Sequence, residues 1–156
     1  MVFCSLVAAA AQMDAPVTTP MVAAQEVMRA IGANIPIVDE TFATSTYGRG
    51  FRNSDSAQQY SYIRGGCLGW SMPAAVGCSL GLGREPVVCL VGDGAAMYSP
   101  QALWTAAHEK LPVTFVVFNN RKYNVLKNFM RSRPTTSQQR KIASSRWIST
   151  IPRSTI

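Results

Sequence analysis

The chain has 156 residues, of which 47% are hydrophobic and 15% are charged, and its formal net charge is +7. This length and composition suit one α/β domain with a buried core, and no apolar run approaches the roughly 18 residues of a membrane span. Residues 131–156 contain six basic side chains and no acidic one, so residues 1–130 sum to only +1. Because the positive charge is confined to the tail, it argues against a nucleic-acid-binding surface on the domain itself.

The cysteines and the single histidine do not suggest a zinc site, because no two cysteines form a CxxC pair. Cys78 and Cys89 lie in apolar runs, which is typical of core thiols in a reducing compartment. The apolar opening, residues 1–13, has no basic flank of the kind that a signal peptide carries. We therefore expect a cytoplasmic protein without a membrane partner.

The first third of the chain predicts one helix and one strand. Residues 1–17 are small and apolar without a helix cap, and we leave them unassigned, as a linker or an aberrant start. A Thr-Thr-Pro sequence at 18–20 begins a helix that Gly32 ends. Residues 35–38 read as a strand that delivers the polar residues 39–41 to a loop.

The middle of the chain contains a loop, a short strand and a small-residue helix. Residues 44–58 are polar and contain glycine, which predicts a loop with a possible helical turn. Residues 60–63 alternate as a short strand. Residues 73–82 predict a helix that can pack close to a sheet, with Gly81 and Gly83 at its end.

A strand–helix–strand unit follows. The apolar runs 86–91 and 112–118 are rich in β-branched residues and too short for stable helices, so both predict buried strands. Between them, Ser99 as N-cap and Pro100 at the first helical position begin a helix that closes near Lys110. Such a crossover is right-handed and makes the two strands parallel, with both carboxyl ends at one edge of the sheet. Ligands bind at that edge in open α/β sheets.

Polar residues stand at the carboxyl ends of both strands. Asp93 follows the first strand between Gly92 and Gly94, and Asn119 and Asn120 follow the second. The carboxylate of Asp93 and the amide oxygen of Asn120 suit an octahedral Mg²⁺ that retains water and binds phosphate oxygens. The two glycines leave backbone N–H groups open to an anion.

These residues carry a resemblance to a known family. Gly92-Asp93-Gly94, then 24 residues, then Asn119-Asn120 resembles the GDG…NN signature of thiamine diphosphate enzymes. The sequence GGCLGWSMPAAVG at 65–77 is similar to their GGLGxxxPAAxG segment. The resemblance covers roughly residues 18–131 and is nearest to the benzoylformate decarboxylase and acetolactate synthase-like branch. It implies a Rossmann-like three-layer α/β domain, with a parallel sheet flanked by helices, that is incomplete at its C-terminus and followed by a basic tail at 132–156.

The resemblance implies a set of metal and diphosphate ligands. By analogy with the family, Mg²⁺ would be bound by the side chains of Asp93 and Asn120 and by the backbone carbonyl of Lys122. The backbone N–H groups of Gly94 and Ala95 would face the diphosphate. The metal would thus tie the cofactor to the sheet edge.

The resemblance also implies contacts to the rest of the cofactor and to the substrate. The carbonyl of Gly66 would accept from the 4′-amino group of the aminopyrimidine, and Leu68 would wedge beneath the bent cofactor. Tyr98 and Tyr123 match aromatic positions that flank the cofactor. Val125 and Leu126 resemble substrate-pocket positions, and Leu126 is also expected to contact the cofactor. As alternatives, Leu68 fills the core and the other four are ordinary half-buried or surface side chains.

The implied activity is that of a 2-oxo-acid decarboxylase or carboligase working as a homodimer or homotetramer, with benzoylformate the leading substrate and pyruvate the runner-up. In the family the activating glutamate lies in a separate N-terminal domain, so we assign no catalytic residue here. Glu40, Glu85 and Glu109 lie in the wrong context to replace it, and His108 reads as a surface residue. We therefore expect this chain alone to be inactive.

Several alternatives stay open at this point. One alternative is a fragment of an acetolactate synthase-like large subunit, and another is a non-functional truncated product, which would carry the same motifs. A Mg²⁺-dependent phosphotransferase using Asp93 would be expected to carry a P-loop, which this sequence lacks. The tail at 132–156 reads either as a shifted reading frame or as a disordered basic segment, and its binding to nucleic acid would be strongly salt-dependent.

Overall fold

A computed structural model describes residues 8–13, 17–52 and 58–132 of the chain. Two compact units can be distinguished, Met1–Phe118 and Asn119–Ile156, and each is described by itself. The predictions for the tail from residue 133 onward, and for most of residues 1–17, lie outside the described residues. Within the described ranges no helix is long and apolar enough to cross a membrane.

The first unit is built on a four-stranded parallel sheet in the order β2-β1-β3-β4. This confirms the predicted parallel α/β fold. In the pairing of β3 with β4, Gly92 is opposite Phe118, so the two strands end level with each other. The strands are β1 (Ile37–Glu40), β2 (Tyr60–Tyr62), β3 (Val87–Gly92) and β4 (Val113–Phe118).

Helices connect these strands, and the predicted helix ends near residues 20 and 32 are confirmed. Thr19 caps the first helix, its side chain accepting from the Val22 N–H at 3.4 Å, and Gly32 follows the last turn with a φ of 75°. The helices of the first unit are α1 (Pro20–Ile31), α2 (Ser45–Phe51), α3 (Ser71–Gly81), α4 (Asp93–Ala96) and α5 (Gln101–His108). The second unit contains α6 (Asn124–Ser132).

The core lies on both faces of β3, because side chains of a strand alternate between the two faces of a sheet. Val87, Cys89 and Val91 belong to a buried cluster with residues of α3 and α5. Val88 and Leu90 belong to a second cluster with residues of α1 and β1. A continuous apolar run is what a strand covered on both sides requires.

The first strand begins and ends later than the sequence predicted. Pro36 has no N–H to donate, although its carbonyl accepts from the Val88 N–H at 2.9 Å, and the ladder proper begins at Ile37. Asp39 and Glu40 belong to the strand and are each 1% exposed. The prediction that they lie in a loop is therefore wrong, because hydrogen bonds from backbone N–H and hydroxyl groups satisfy both carboxylates inside the protein.

The prediction of a loop at 44–58 is also wrong for its first half, which forms α2. Its sequence includes two glycines and has low intrinsic helix propensity, so tertiary packing decides its structure. Gly48 is buried, and a Cβ atom there would lie 3.4 Å from the Tyr60 hydroxyl. This distance is an ordinary contact, so α2 packs beside Tyr60 without requiring glycine at this position.

Candidate functional site

The carboxyl end of β3 continues directly into α4. Gly92 is the last residue of the strand with an extended backbone, and Asp93 is the first residue of the helix. The sequence predicted a turn here, and the structure shows a single helical turn. Because the first N–H groups of a helix have no intrahelical acceptor, those of Gly94 and Ala95 point out of the helix start. Asp93 is half-buried and has further interactions of its own.

The loop before α6 is shaped by two asparagine side chains. The Oδ1 atom of Asn119 accepts from the Arg121 N–H at 3.1 Å, and the Oδ1 atom of Asn120 accepts from the Lys122 N–H at 2.9 Å. Such turns explain why two consecutive asparagines suit this position. Arg121, which directly follows them, takes a positive φ of 54°. An amide oxygen has two lone pairs, so the Oδ1 atom of Asn120 can accept a second bond besides the one from Lys122.

Two predicted cofactor contacts lie in residues 65–71, a segment that follows β2 and ends at the first residue of α3. Gly66 is exposed and has a positive φ of 68°, which favours glycine. Leu68 is half-buried and packs against the core cluster around Cys89. The structure therefore gives Leu68 a packing role in the protein by itself.

A buried carboxylate holds the end of this segment. The Oε1 atom of Glu40 accepts from the Gly69 N–H at 2.6 Å, and its Oε2 atom accepts from the Ser71 N–H at 2.7 Å. Glu40 thus joins the end of β1 to the start of α3. This role was not predicted from the sequence, because the two backbone partners lie 29 and 31 residues away in the chain.

The same segment is held from a second side by the turn after α4. The Ser99 hydroxyl donates to the Gly69 carbonyl at 2.7 Å. The prediction that Ser99 caps the next helix is wrong, because α5 begins at Gln101 without a side-chain cap. Tyr98, a predicted cofactor contact, is 57% exposed beside Gly69. The structure therefore brings together the end of β1, residues 65–71 and the turn at 97–99.

A second buried carboxylate, Asp39, lies next to Glu40 and has different partners. It accepts from the N–H and hydroxyl of Thr41, each at 2.8 Å, and from the Tyr60 hydroxyl at 2.6 Å. Burial, and then the neighbouring charge of Asp39, raise the pKa of Tyr60 above its ordinary value. Asp39 therefore ties the strand β2 to β1, and its hydrogen bonds do not involve residues 65–71.

The remaining predicted contacts lie in the second unit. Tyr123 is half-buried, whereas Val125 and Leu126, at the start of α6, are 39% and 52% exposed. Apolar and polar residues segregate on this helix, and Leu126 and Phe129 are both exposed apolar residues. This unit therefore presents exposed apolar side chains on the helix that follows the loop at 119–123.

Cys89 is a core thiol and His108 a surface residue, as the sequence predicted. Cys89 is fully buried, and burial raises the pKa of its thiol to about 12. Cys78 is partly buried against the same core, whereas Cys67 is exposed. His108 is exposed, stacked on Trp104 with ring centroids 4.8 Å apart. Among the described residues no three His, Cys, Asp or Glu side chains cluster as metal ligands.

Comparison with known proteins connects this arrangement to a family. Residues 41–149 match the family described as thiamine pyrophosphate enzymes, C-terminal TPP binding domain, where thiamine pyrophosphate is another name for thiamine diphosphate. This match covers both glycine-rich motifs and the asparagine pair. It therefore contains every residue assigned to the cofactor or metal from the sequence.

Individual relatives agree with the family match. The chain is 36% identical over 101 residues to a Mycobacterium tuberculosis protein named provisionally as an acetolactate synthase large subunit, covering 62% of this chain and 20% of that protein. It is 40% identical over 70 residues to benzoylformate decarboxylase of Pseudomonas aeruginosa, covering 45% of this chain and 13% of that enzyme. The chain thus spans a fifth or less of these relatives.

A solved structure shows the same fold. The thiamine diphosphate-dependent 4-hydroxybenzoylformate decarboxylase of Rhodococcus jostii superposes with a TM-score of 0.67 at 31% identity, covering 74% of this chain and 23% of that one. Fold, motifs and family match therefore agree. This chain belongs to the thiamine pyrophosphate enzymes, and it carries their C-terminal thiamine pyrophosphate-binding domain.

Proposed function

We propose that this chain binds Mg²⁺ and thiamine diphosphate at the carboxyl edge of its sheet, as part of a 2-oxo-acid decarboxylase or carboligase. One observation carries the proposal. Strands β3 and β4 are parallel and end level, and the residues that follow them in the chain are Asp93 and the pair Asn119-Asn120. Acidic and amide oxygens after neighbouring parallel strands form the donor set that Mg²⁺ prefers.

The metal ligands that we propose are the Asp93 carboxylate, the Asn120 side-chain oxygen and the Lys122 carbonyl. All three donors are hard oxygens, and the second lone pair of Asn120 supports its part in the set. Three protein ligands leave the rest of an octahedron to phosphate oxygens and water. The donor set therefore fits Mg²⁺ better than a softer metal.

The organic cofactor would be held at two places. The N–H groups of Gly94 and Ala95, at the start of α4, suit the diphosphate. The Gly66 carbonyl and the Leu68 side chain would receive the aminopyrimidine. Tyr98, Tyr123 and Leu126 would flank the cofactor. When bound, thiamine diphosphate supplies the nucleophilic carbon and the electron sink, and the protein binds and orients it.

The substrate of the whole enzyme is proposed from the names of its relatives. Two of the proteins described above are named for benzoylformate or 4-hydroxybenzoylformate, which are aryl 2-oxo acids. The M. tuberculosis relative supports the alternative of an acetolactate synthase-like carboligase acting on pyruvate. We favour an aryl 2-oxo acid and a homodimeric or homotetrameric, cytoplasmic enzyme.

We further propose that this chain by itself has no turnover. Each oxygen of the buried Glu40 carboxylate accepts a backbone N–H, and Glu109 is paired with Arg84 at the surface. Neither side chain is placed to activate an aminopyrimidine. Release of CO₂ from benzoylformate by the purified chain, dependent on thiamine diphosphate, would contradict this part of the proposal.

Calorimetric titration tests the binding site. Thiamine diphosphate is titrated into the folded chain with and without Mg²⁺, beside Asp93→Ala and the control Glu26→Ala, which removes a carboxylate paired with Arg29 on α1. We expect Mg²⁺-dependent binding that Asp93→Ala weakens by at least about tenfold and Glu26→Ala leaves unchanged. The absence of Mg²⁺-dependent binding by the folded wild-type chain would refute the proposed function.

A further inference from the structure

We propose that Glu40 is a positioning residue for the cofactor, because it holds residues 65–71 in the shape that receives the aminopyrimidine. This inference rests on the proposed function. Its basis is geometric: each oxygen of a side chain that is 1% exposed accepts one backbone N–H, from Gly69 at 2.6 Å and from Ser71 at 2.7 Å. Both distances are in the short range of bonds to a charged acceptor.

Burying a carboxylate is unfavourable unless hydrogen bonds replace its lost hydration. Glu40 has no positively charged partner among the ion pairs of the described residues. Its contacts are instead two N–H groups on either side of Trp70, where the segment turns into α3. The backbone conformation around Trp70 therefore depends on the Glu40 side chain.

The anchoring is confined to one end of the segment. Gly69 is held by Glu40 through its N–H and by Ser99 through its carbonyl, at 2.7 Å. Gly66, three residues earlier, is exposed with a φ of 68°, and Leu68 lies between them. The anchored Gly69 thus fixes the end of the segment that carries Gly66 and Leu68, the two proposed aminopyrimidine contacts.

The isosteric substitution Glu40→Gln distinguishes a positioning role of the carboxylate from a role as a buried side chain alone. In Glu40→Gln, one end of the side chain still accepts an N–H, while the NH₂ group is forced against the other N–H. Because the segment can relieve that repulsion only by moving, we expect Gly66 and Leu68 to be misplaced. In enzymes a misplacement on the order of 1 Å can slow the reaction by about a hundredfold, and we expect misplaced binding groups to lower cofactor affinity by at least about tenfold.

Gln58 provides a matched control. It is 4% exposed, and its Nε2 atom donates to the carbonyls of Gly32 and Ile35, at 3.0 and 2.8 Å. Gln58→Glu is therefore also an isosteric change of a buried side chain that holds two backbone groups. Those groups precede β1, whereas the groups held by Glu40 follow β2.

Two quantities are measured. One is the rate of amide hydrogen exchange at Gly69 and Ser71. The other is the affinity for thiamine diphosphate and for inorganic pyrophosphate, each titrated at saturating Mg²⁺. We expect Glu40→Gln to speed exchange at both amides and to weaken thiamine diphosphate binding by at least about tenfold. Pyrophosphate binding should stay within about twofold, because it reports only the diphosphate end. Gln58→Glu should change none of these. Ser99→Ala, a milder change at Gly69, should move exchange and affinity in the same direction and serves if Glu40→Gln does not fold.

Two results would overturn the role of Glu40. One is equal weakening of both ligands, which indicates general damage, and the other is unchanged exchange and affinity in Glu40→Gln. A folded wild-type chain that binds neither ligand would instead refute the proposed function, and the positioning role with it. The wild-type titrations therefore distinguish the two failures.

Discussion

Gly69 approaches Tyr98 so closely that a Cβ atom on the glycine would lie 2.5 Å from the Cβ atom of the tyrosine. The glycine also has a φ of 90°, which side chains rarely tolerate. Two independent requirements thus exclude any other residue here. The contact joins the segment that precedes α3 to the turn that follows α4, so it fixes the relative position of two stretches proposed to hold the cofactor.

We predict that Gly69→Ala strongly destabilises the protein. The positive φ and the overlap with Tyr98 should together lower the free energy of unfolding by about 3 kcal/mol, measured by urea denaturation. Gly81→Ala is the control, because nothing lies within 4 Å of a Cβ atom at this helix end and its φ is not positive. A Gly69→Ala variant as stable as the control would mean that the contact yields easily.

We predict that stability falls steeply in alkali because of Cys89 and Tyr60. Burial raises the pKa of Cys89 from 9.0 to about 12 and, together with Asp39, raises that of Tyr60 above 10.0. A pKa raised by folding contributes stability below the unfolded value, and this contribution is lost as pH rises toward the folded value. Between pH 8 and 10.5 the free energy of unfolding should therefore fall by roughly 3 kcal/mol from these two groups.

Urea denaturation over that pH range, in the wild type and in the double variant Cys89→Ala, Tyr60→Phe, checks this prediction. The variant is expected to be less stable at pH 8, since the Asp39 carboxylate loses a hydrogen-bond donor. Its stability should nevertheless depend far less on pH. Parallel curves for the two proteins would show that other groups cause the alkaline loss.

The parts of the fold that the sequence predicted well are those in which local pattern and tertiary packing agree. Two apolar runs around a short helix can form only a parallel crossover, and the spacing between Asp93 and Asn120 follows from its length. The end of α5 shows the same agreement. Lys110 takes a positive φ of 52°, while the Leu111 N–H bonds to the Ala106 carbonyl at 2.9 Å, closing the helix where the sequence placed its end.

The errors fall where tertiary contacts outweigh local preference. Glu40 and Asp39 look like loop residues because acids are rarely buried. Burial of Glu40 is made favourable by backbone N–H groups 29 and 31 residues away, and burial of Asp39 by the distant Tyr60 hydroxyl together with the nearby Thr41. Ser99 has the sequence signal of an N-cap, yet its hydroxyl bonds to Gly69, 30 residues away. No periodicity in a single sequence reports such partners.

Substitution of Leu68 distinguishes two possible roles of this residue, packing in the core and contact with the cofactor. It is half-buried against the core cluster, so Leu68→Ala should lower the free energy of unfolding by about 1–3 kcal/mol in either role. If the side chain also supports the bent cofactor, the same variant should weaken thiamine diphosphate binding by about tenfold and leave Mg²⁺-pyrophosphate binding unchanged. Calorimetric titration with the two ligands measures this difference.

Val113→Ala is the matched control, because Val113 is also half-buried against that cluster but lies at the start of β4. A second control, Cys67→Ala, changes the exposed neighbour of Leu68. We expect Val113→Ala to lose stability without losing affinity, and Cys67→Ala to lose neither. Should Leu68→Ala bind both ligands as tightly as Val113→Ala does, Leu68 would be a core residue only, and the aminopyrimidine would have to be supported from elsewhere.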